Sequence, residues 1–303
     1  MSESGGYLRI VAAAVIWGSI GVAGRATFAA GVAPLEVAFF RALLAFVAVA
    51  IIVLLTEPLA LRIRAADLPL FAGFGLVSIA IFFFVYLYAI SRTTVATAAI
   101  LLYTAPAFVI ILSRVLFHEP VTRPKAAAIA LAFAGCVLVV RGYDPAALRL
   151  NLPGVLAGLA SGLTYAMYSI FGKTALRRYR PATTLVYALG IGAVALGLTA
   201  LPLGAVHLTH TAAAWRGIVY LALVTSLLAQ WLYLAGLERV EAGRASLVAT
   251  LEPVVAAVFG YVLLGERLEV WQLVGGALVL SAVLTIRLAP PAGPSPAGEA
   301  SRR

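Results

Sequence analysis

Ten long apolar stretches, separated by short clusters of charge, proline and glycine, constrain this chain more than any other feature. A helix needs about 20 apolar residues to cross a hydrocarbon core roughly 30 Å thick. Reading from one cluster to the next gives ten such runs, centred near residues 16, 44, 79, 105, 132, 163, 191, 224, 253 and 279. A water-soluble fold is excluded by the little that lies between them. Only 11% of the 303 residues are charged and 63% are hydrophobic, against roughly 25% charged in an ordinary soluble domain. The expected class is an all-α polytopic membrane protein with ten transmembrane helices and the lipid bilayer as its solvent. The first run, from about Tyr7 to Gly24, is long enough to span and is followed by nine more, so it reads as a retained helix rather than a signal peptide. The Pro/Gly/Ser-rich tail over 289–303 is expected to be disordered.

The formal net charge of +10 does not point to nucleic acid. The basic residues sit one to four at a time between apolar runs, and no stripe of them alternates with aromatics. Their distribution carries orientation instead. With the N-terminus in the cytoplasm, 14 Lys and Arg fall on inside segments and 6 on outside ones, with Arg41 and Arg114 left within spans. Both termini are therefore expected to be cytoplasmic. The Arg-over-Lys bias, with only Lys125 and Lys173 as lysines, fits a GC-rich bacterial genome and hence a bacterial inner membrane. Cys136 is the only cysteine, so neither an internal disulfide nor a cysteine metal cluster is possible. The sequence Gly172–Lys173–Thr174 resembles the end of a phosphate-binding loop, but Met167 replaces the leading glycine and no strand precedes it. His118, His207 and His210 have no metal-ligand spacing. No cofactor is expected.

The chain repeats. Sliding it by 147 residues places Pro34 on Pro181, Tyr86 on Tyr233, Arg92 on Arg239, Pro106 on Pro253 and Glu119 on Glu266, with all ten runs in phase. In so biased a composition, matches at the rarer Pro, Tyr, Arg and Glu carry the weight. The halves cover residues 7–142 and 153–288. Each holds five spans, an odd number, so the second must enter the membrane from the opposite side. Such 5+5 inverted-topology repeats are a common plan of secondary transporters.

Four segments carry a family resemblance: "AAVIWGSIGVAGR" (13–25), "FFRALLAF" (39–46), and the paired "TAAILLYTAPAFVIILSRVLFHEP" (97–120) and "ASLVATLEPVVAAVFGYVLLGERL" (245–268). On these the chain resembles EamA-type members of the drug/metabolite transporter superfamily, and among them YddG-like amino-acid exporters. The resemblance covers about residues 7–288. It implies a ten-helix carrier with a central cavity for a small-molecule substrate, and it favours export over import. The first half departs from the pattern at His118, where the second has Gly265.

Few polar side chains lie deep in the spans, and an intramembrane ionisable group is a functional hypothesis by default. Glu252 sits about nine residues into its run, roughly 13 Å along a helix, just before Pro253. It is a candidate to bind a substrate amine or to carry a coupling proton. Its repeat mate is Ala105. Arg41, about eight residues into the second run, could hold a substrate carboxylate or could pair across the bundle. Glu36 is a poor partner for it, being some 140° away around the helix. Trp17, Tyr86, Tyr103, Tyr165, Tyr168, Trp231 and Tyr233 are aromatic candidates for a cavity suited to amphipathic or cationic substrates, and Gln230 is a polar one. Glu119 and Glu266 are expected to accept hydrogen bonds from the first N–H groups of the helix that follows each. Gly154, Gly158 and Gly162 form a small-residue stripe for close helix packing.

Together these features predict a secondary transporter of small metabolites, amino acids first and cationic drugs second, working by alternating access. A channel-like facilitator is the alternative, although no repeated polar ring or filter sequence is present. Whether the chain acts as a monomer or a homodimer is open at this level. No paired nucleophile and base favours an enzyme.

Overall fold

The computed structural model describes residues 3–92, 100–139, 141–145, 152–264 and 268–289. Among them every regular element is helical, as the bilayer demands: without water, each backbone N–H and C=O must find its partner within its own segment. In chain order the α-helices are α1 (Glu3–Gly18), α2 (Ile20–Ala29), α3 (Pro34–Thr56), α4 (Leu68–Gly75), α5 (Phe82–Arg92), α6 (Ala105–Leu116) and α7 (Arg123–Val139) in the first half. The second half holds α8 (Leu152–Ala175), α9 (Pro181–Ala200), α10 (Ala212–Tyr220), α11 (Ala229–Leu237), α12 (Ala242–Ala249), α13 (Glu252–Leu264) and α14 (Val270–Leu288).

Seven helical stretches are long and apolar enough to cross a membrane: Glu3–Ala29, Pro34–Thr56, Ala65–Tyr86, Leu152–Ala175, Pro181–Ala200, Ala212–Leu237 and Ala242–Leu263. The other three apolar runs form shorter helices. Ile100–Leu116 and Val270–Ile286 are the apolar ones, and Arg123–Val139 opens with two cations in its first turn. Glu266 and, after Ala289, the expected disordered tail lie outside the described residues.

The repeat is visible in the backbone. Pro34 and Pro181 each open a helix, where a missing N–H costs nothing. A π-helical segment over Leu76–Ile81 joins α4 to α5, and another over Leu221–Leu228 joins α10 to α11. Residues 76–81 fall on 223–228 under the same shift. The chain also breaks at Tyr103–Thr104 and again at the equivalent Thr250–Leu251, each break just ahead of a half-helix with proline at its second position. The kink at Ser19 between α1 and α2 has no counterpart, because α8 runs unbroken.

Packing relies on backbone approach more than on side-chain volume, as is usual between helices in lipid. α7 and α14 cross in direct contact: a Cβ added at Gly135 would lie 2.7 Å from the Gly275 carbonyl, and one at Gly275 would lie 2.7 Å from the Gly135 carbonyl. The glycine stripe on α8 meets the first break, with Gly158 facing Leu101 and Gly162 facing Thr104.

One end of the bundle is tied together by charge. Arg244 donates to Tyr7 Oη and to the carbonyls of Ile286 and Ala289, so the first and last helices converge there. Lys125 is 3% exposed and pairs with Glu241 at 2.8 Å. Glu119 accepts from the N–H groups of Ala242 and Gly243 at 3.1 and 3.4 Å. It therefore caps α12 in the other half, and not, as expected, the helix that follows it. At the opposite end Glu36 is 1% exposed and accepts from His207 N at 2.5 Å, with His210 Nε2 at 2.9 Å.

Candidate functional site

The two helix breaks meet in the middle of the bundle. Proline cannot donate a hydrogen bond to the carbonyl four residues back, which weakens the helix there. At each break a threonine hydroxyl takes up a nearby carbonyl: Thr104 Oγ1 donates to Leu101 O and Thr250 Oγ1 to Leu247 O, both at 2.6 Å. Between the breaks lies a cavity of about 10 Å³, lined by Tyr103, Pro106, Tyr165, Ser169, Tyr233, Ser246, Thr250 and Glu252 among others. That volume is about one water molecule, so the chamber is closed in this conformation.

Glu252 is the first residue of α13. Its carboxylate stands at the positive end of a half-helix dipole, where an anion is favoured. It shares the chamber lining with Tyr103 and Tyr165, and Arg41 and Tyr86 lie within its electrostatic reach. Arg41 reaches the same region from α3 without binding the carboxylate. Its Nε donates to Ser226 Oγ at 3.1 Å and a terminal nitrogen approaches Thr225 Oγ1 at 3.5 Å. The guanidinium carbon sits 4.9 Å over the Phe83 ring. The second π-helical segment supplies both hydroxyls. It also supplies the Thr225 carbonyl, which accepts from Trp17 Nε1 at 3.0 Å. A π-helical turn displaces the normal backbone pairing and re-aims its groups, and here they hold two of the chain's bulkiest polar side chains.

The aromatic candidates divide by position. Trp17, Tyr165 and Tyr233 form one cluster, with ring centroids 6.3 Å apart for Trp17–Tyr165 and 5.3 Å for Trp17–Tyr233. Tyr86 stacks on Phe82, which stacks on Tyr165. Tyr233 Oη hydrogen-bonds with Ser169 Oγ at 2.7 Å. Tyr168 packs behind this layer against Phe74 and Tyr233, and its hydroxyl has no partner among the described residues. Gln230 is buried, with its carbonyl oxygen also unpartnered, and it does not line the chamber. Trp231 points elsewhere, into a recess at the charged end of the bundle. Two residues along a helix turn the direction by about 200°, so Trp231 and Tyr233 could not share a face. Ser169, Ser246 and Thr250 on the lining, and Thr225 and Ser226 behind Arg41, are not singled out by sequence. The signal available for them is hydroxyl residues within otherwise apolar spans, flanking Tyr233 and Glu252.

Comparison with known proteins gives a family and a fold. The EamA-like transporter family matches twice, over residues 4–141 and 152–288. An uncharacterised transporter of Archaeoglobus fulgidus is 33% identical over 282 residues, which span 92% of this chain and 95% of that one. A probable terminal-alkyne amino-acid exporter of Streptantibioticus cattleyicolor is 32% identical over 229 residues, 74% of this chain and 75% of its own. A solved crystal structure superposes with a TM-score of 0.81 at 18% identity, covering 94% of this chain and 97% of that chain. At that identity the match speaks for the fold alone.

Proposed function

The chain belongs to the EamA-like transporter family, and from that premise we propose that it is a secondary carrier exporting small amphipathic metabolites, amino acids first, by alternating access. The observation that carries this reading is the meeting of two symmetry-related broken helices at a closed chamber lined by Glu252, with Arg41 within its electrostatic reach. A substrate ammonium would pair with Glu252, a carboxylate would reach Arg41, and the side chain would lie among Tyr103, Tyr165 and Tyr233. Discontinuous helices at a repeat interface are where carriers bind substrates and coupling ions. A chamber of about 10 Å³ admits a substrate only after the halves move, which suits a carrier and not an open pore.

The ten apolar runs, seven of them full-length spans, are read as ten crossings in two inverted halves. Convergence of Tyr7, Ile286 and Ala289 on Arg244 supports an even number of crossings. The excess of Lys and Arg on that end supports cytoplasmic termini in an inner membrane. Relatedness to a probable amino-acid exporter supports both substrate class and direction.

The test is counterflow in proteoliposomes with a panel of labelled amino acids at two pH values. Saturable counterflow that Glu252→Gln abolishes is the expected result. Unsaturated flux proportional to concentration would replace the carrier with a facilitator. Saturable transport unchanged by Glu252→Gln, in rate and in pH dependence, would remove Glu252 from the site.

A further inference from the structure

Glu36 and its two histidines lie outside the chamber and take no part in it. Glu36 stands in the first turn of α3, at the outer end of the bundle in the orientation read above. Three groups converge on one of its oxygens. His207 N donates to Oε1 at 2.5 Å, His210 Nε2 lies at 2.9 Å and His207 Nδ1 at 3.5 Å. An ionised carboxylate only accepts, so His210 Nε2 carries a proton. The contact crosses the repeat: Glu36 belongs to the first half, and both histidines to the loop between α9 and α10 in the second. Among the described residues these histidines are the titratable groups that act on Glu36. α9 has no charged residue, and Arg216, the one cation of α10, is exposed. The remaining neighbours are rings: Phe40 meets Trp215 with centroids 5.1 Å apart, and Trp215 meets His210 at 6.1 Å.

The repeat supplies a comparison. The shift of 147 residues places Glu36 on Thr183, His207 on Ala60 and His210 on Ile63. The equivalent contact is made at the inner end, where Thr183 Oγ1 donates to the Ala60 carbonyl at 2.8 Å. Each end of the bundle therefore has a tie between the start of one helix, α3 or α9, and the loop that follows its repeat mate. The inner tie sets a hydroxyl on a carbonyl, and neither group titrates. The outer tie sets a buried carboxylate against two imidazoles, the side chain that changes charge between pH 5 and 8. The His207 ring is 61% exposed and that of His210 10%, so protons outside reach the pair through His207.

We propose that the outer tie is a proton-sensitive latch: protons outside charge the two histidines, draw the α9–α10 loop onto Glu36 and hold the outer end of the carrier shut. The proposal rests on the carrier reading and its orientation. An imidazolium makes a charge-assisted bond to a carboxylate, stronger than that of a neutral imidazole. Acid outside therefore tightens the latch, and rising pH loosens it. With the chamber closed both ties are made, and outward opening releases the outer one. Glu36 lies five residues from Arg41, about 7.5 Å along α3. α10 runs on into the π-helical segment whose hydroxyls hold Arg41. The latch thus joins the two elements that fix Arg41.

The test has two arms. The first reads the melting temperature of the full chain in detergent at pH 6 and pH 8, and needs no substrate. The second follows labelled amino acids in proteoliposomes of uniform orientation, with internal pH fixed and external pH at 6 or 8. Replacement by His210→Gln keeps an amide donor near Glu36 and removes the titration. Relative to that variant the parent chain should gain melting temperature at pH 6. Its turnover should fall about fivefold from external pH 8 to 6, the ratio of a charge-assisted to a neutral hydrogen bond, and His210→Gln should lose that fall. Thr183→Val, which loosens the inner tie, should keep both differences. His207→Gln should reduce the melting difference and keeps the test open if His210→Gln does not fold. A melting difference unchanged in both histidine variants, or an external-pH dependence that His210→Gln leaves as it was, would overturn the latch while the carrier reading stands. Loss of the melting difference in a chain that transports none of the panel would uphold the latch and remove the carrier reading.

Discussion

The break ahead of Ala105 and the break ahead of Glu252 occupy the same place in the two halves, yet only one carries a charge. Both have a proline next in sequence and a threonine hydroxyl folded back on a carbonyl. The two π-helical segments make the same contrast. In the second half Thr225 and Ser226 hold Arg41 and Trp17. In the first, Ser78 stands where Thr225 does under the repeat, and its buried hydroxyl has no partner among the described residues. The repeat has kept the backbone devices that loosen a helix, while the acid and the π-helical hydroxyls that hold Arg41 stand in the second half and Arg41 itself comes from the first. The first half contributes Phe83, Tyr86 and Tyr103 to the same space.

Three pairs of substitutions probe this contrast, in decreasing order of effect. Glu252→Ala makes the second break resemble the first. Transport at limiting substrate should fall about a hundredfold, the usual scale for removing one member of a buried charged contact. Moving the charge across, as Ala105→Glu in the Glu252→Ala background, should not restore it, because Arg41 has Ala188 and not a cation as its mate. Recovery in the vesicle assay would mean that the halves are interchangeable.

The prolines come next. Pro253→Ala returns a backbone donor to the break that positions Glu252, and should cut the maximal rate several-fold more than Pro106→Ala does. Single-turnover uptake separates this from a loss of binding, and equal effects would place the two breaks on the same footing.

The smallest effect belongs to the π-helical hydroxyls. Ser226→Ala removes the closest hydrogen bond to Arg41 and should lower the melting temperature, as expected for about 1–3 kcal/mol lost when a charged group loses a buried partner. Ser78→Ala deletes an orphaned hydroxyl and should leave the melting temperature unchanged or raise it. A larger loss from Ser78→Ala would show that Ser78 has a partner in another conformation.

Most of the scaffold was legible in the sequence because it follows from local quantities. Run length, the phase of Pro34 with Pro181 and of Pro106 with Pro253, and the spread of Lys and Arg need no contact between distant residues. Glu252 could be singled out because an acid beside a proline in mid-span is conspicuous. Glu36 and Glu119 could not be read so easily. In the sequence Glu36 is near only Arg41 as a possible partner, and in the fold its partners are His207 and His210. Chain order points Glu119 to the helix that follows it, and in the fold it caps α12 instead. Trp231 and Tyr233 are alike in type, but their spacing along a helix already separates their directions.

The sequence by itself determined that this chain lives in a membrane, that it is helical, that it consists of two related halves and that each half carries a proline within the matching span. Those properties depend on how many apolar residues stand in a row and where proline interrupts them. Only the tertiary structure decided that Arg41 is held by Thr225 and Ser226, that Trp17 donates to a carbonyl of a π-helical turn, and that a lateral recess stands open while the chamber is shut. The physical reason lies in the solvent. A span with lipid on one side and apolar neighbours on the other shows no clear polar stripe, so its composition does not reveal its rotation about its own axis. Glycine contacts and the sparse polar side chains set that rotation, and they act only once the helices have come together.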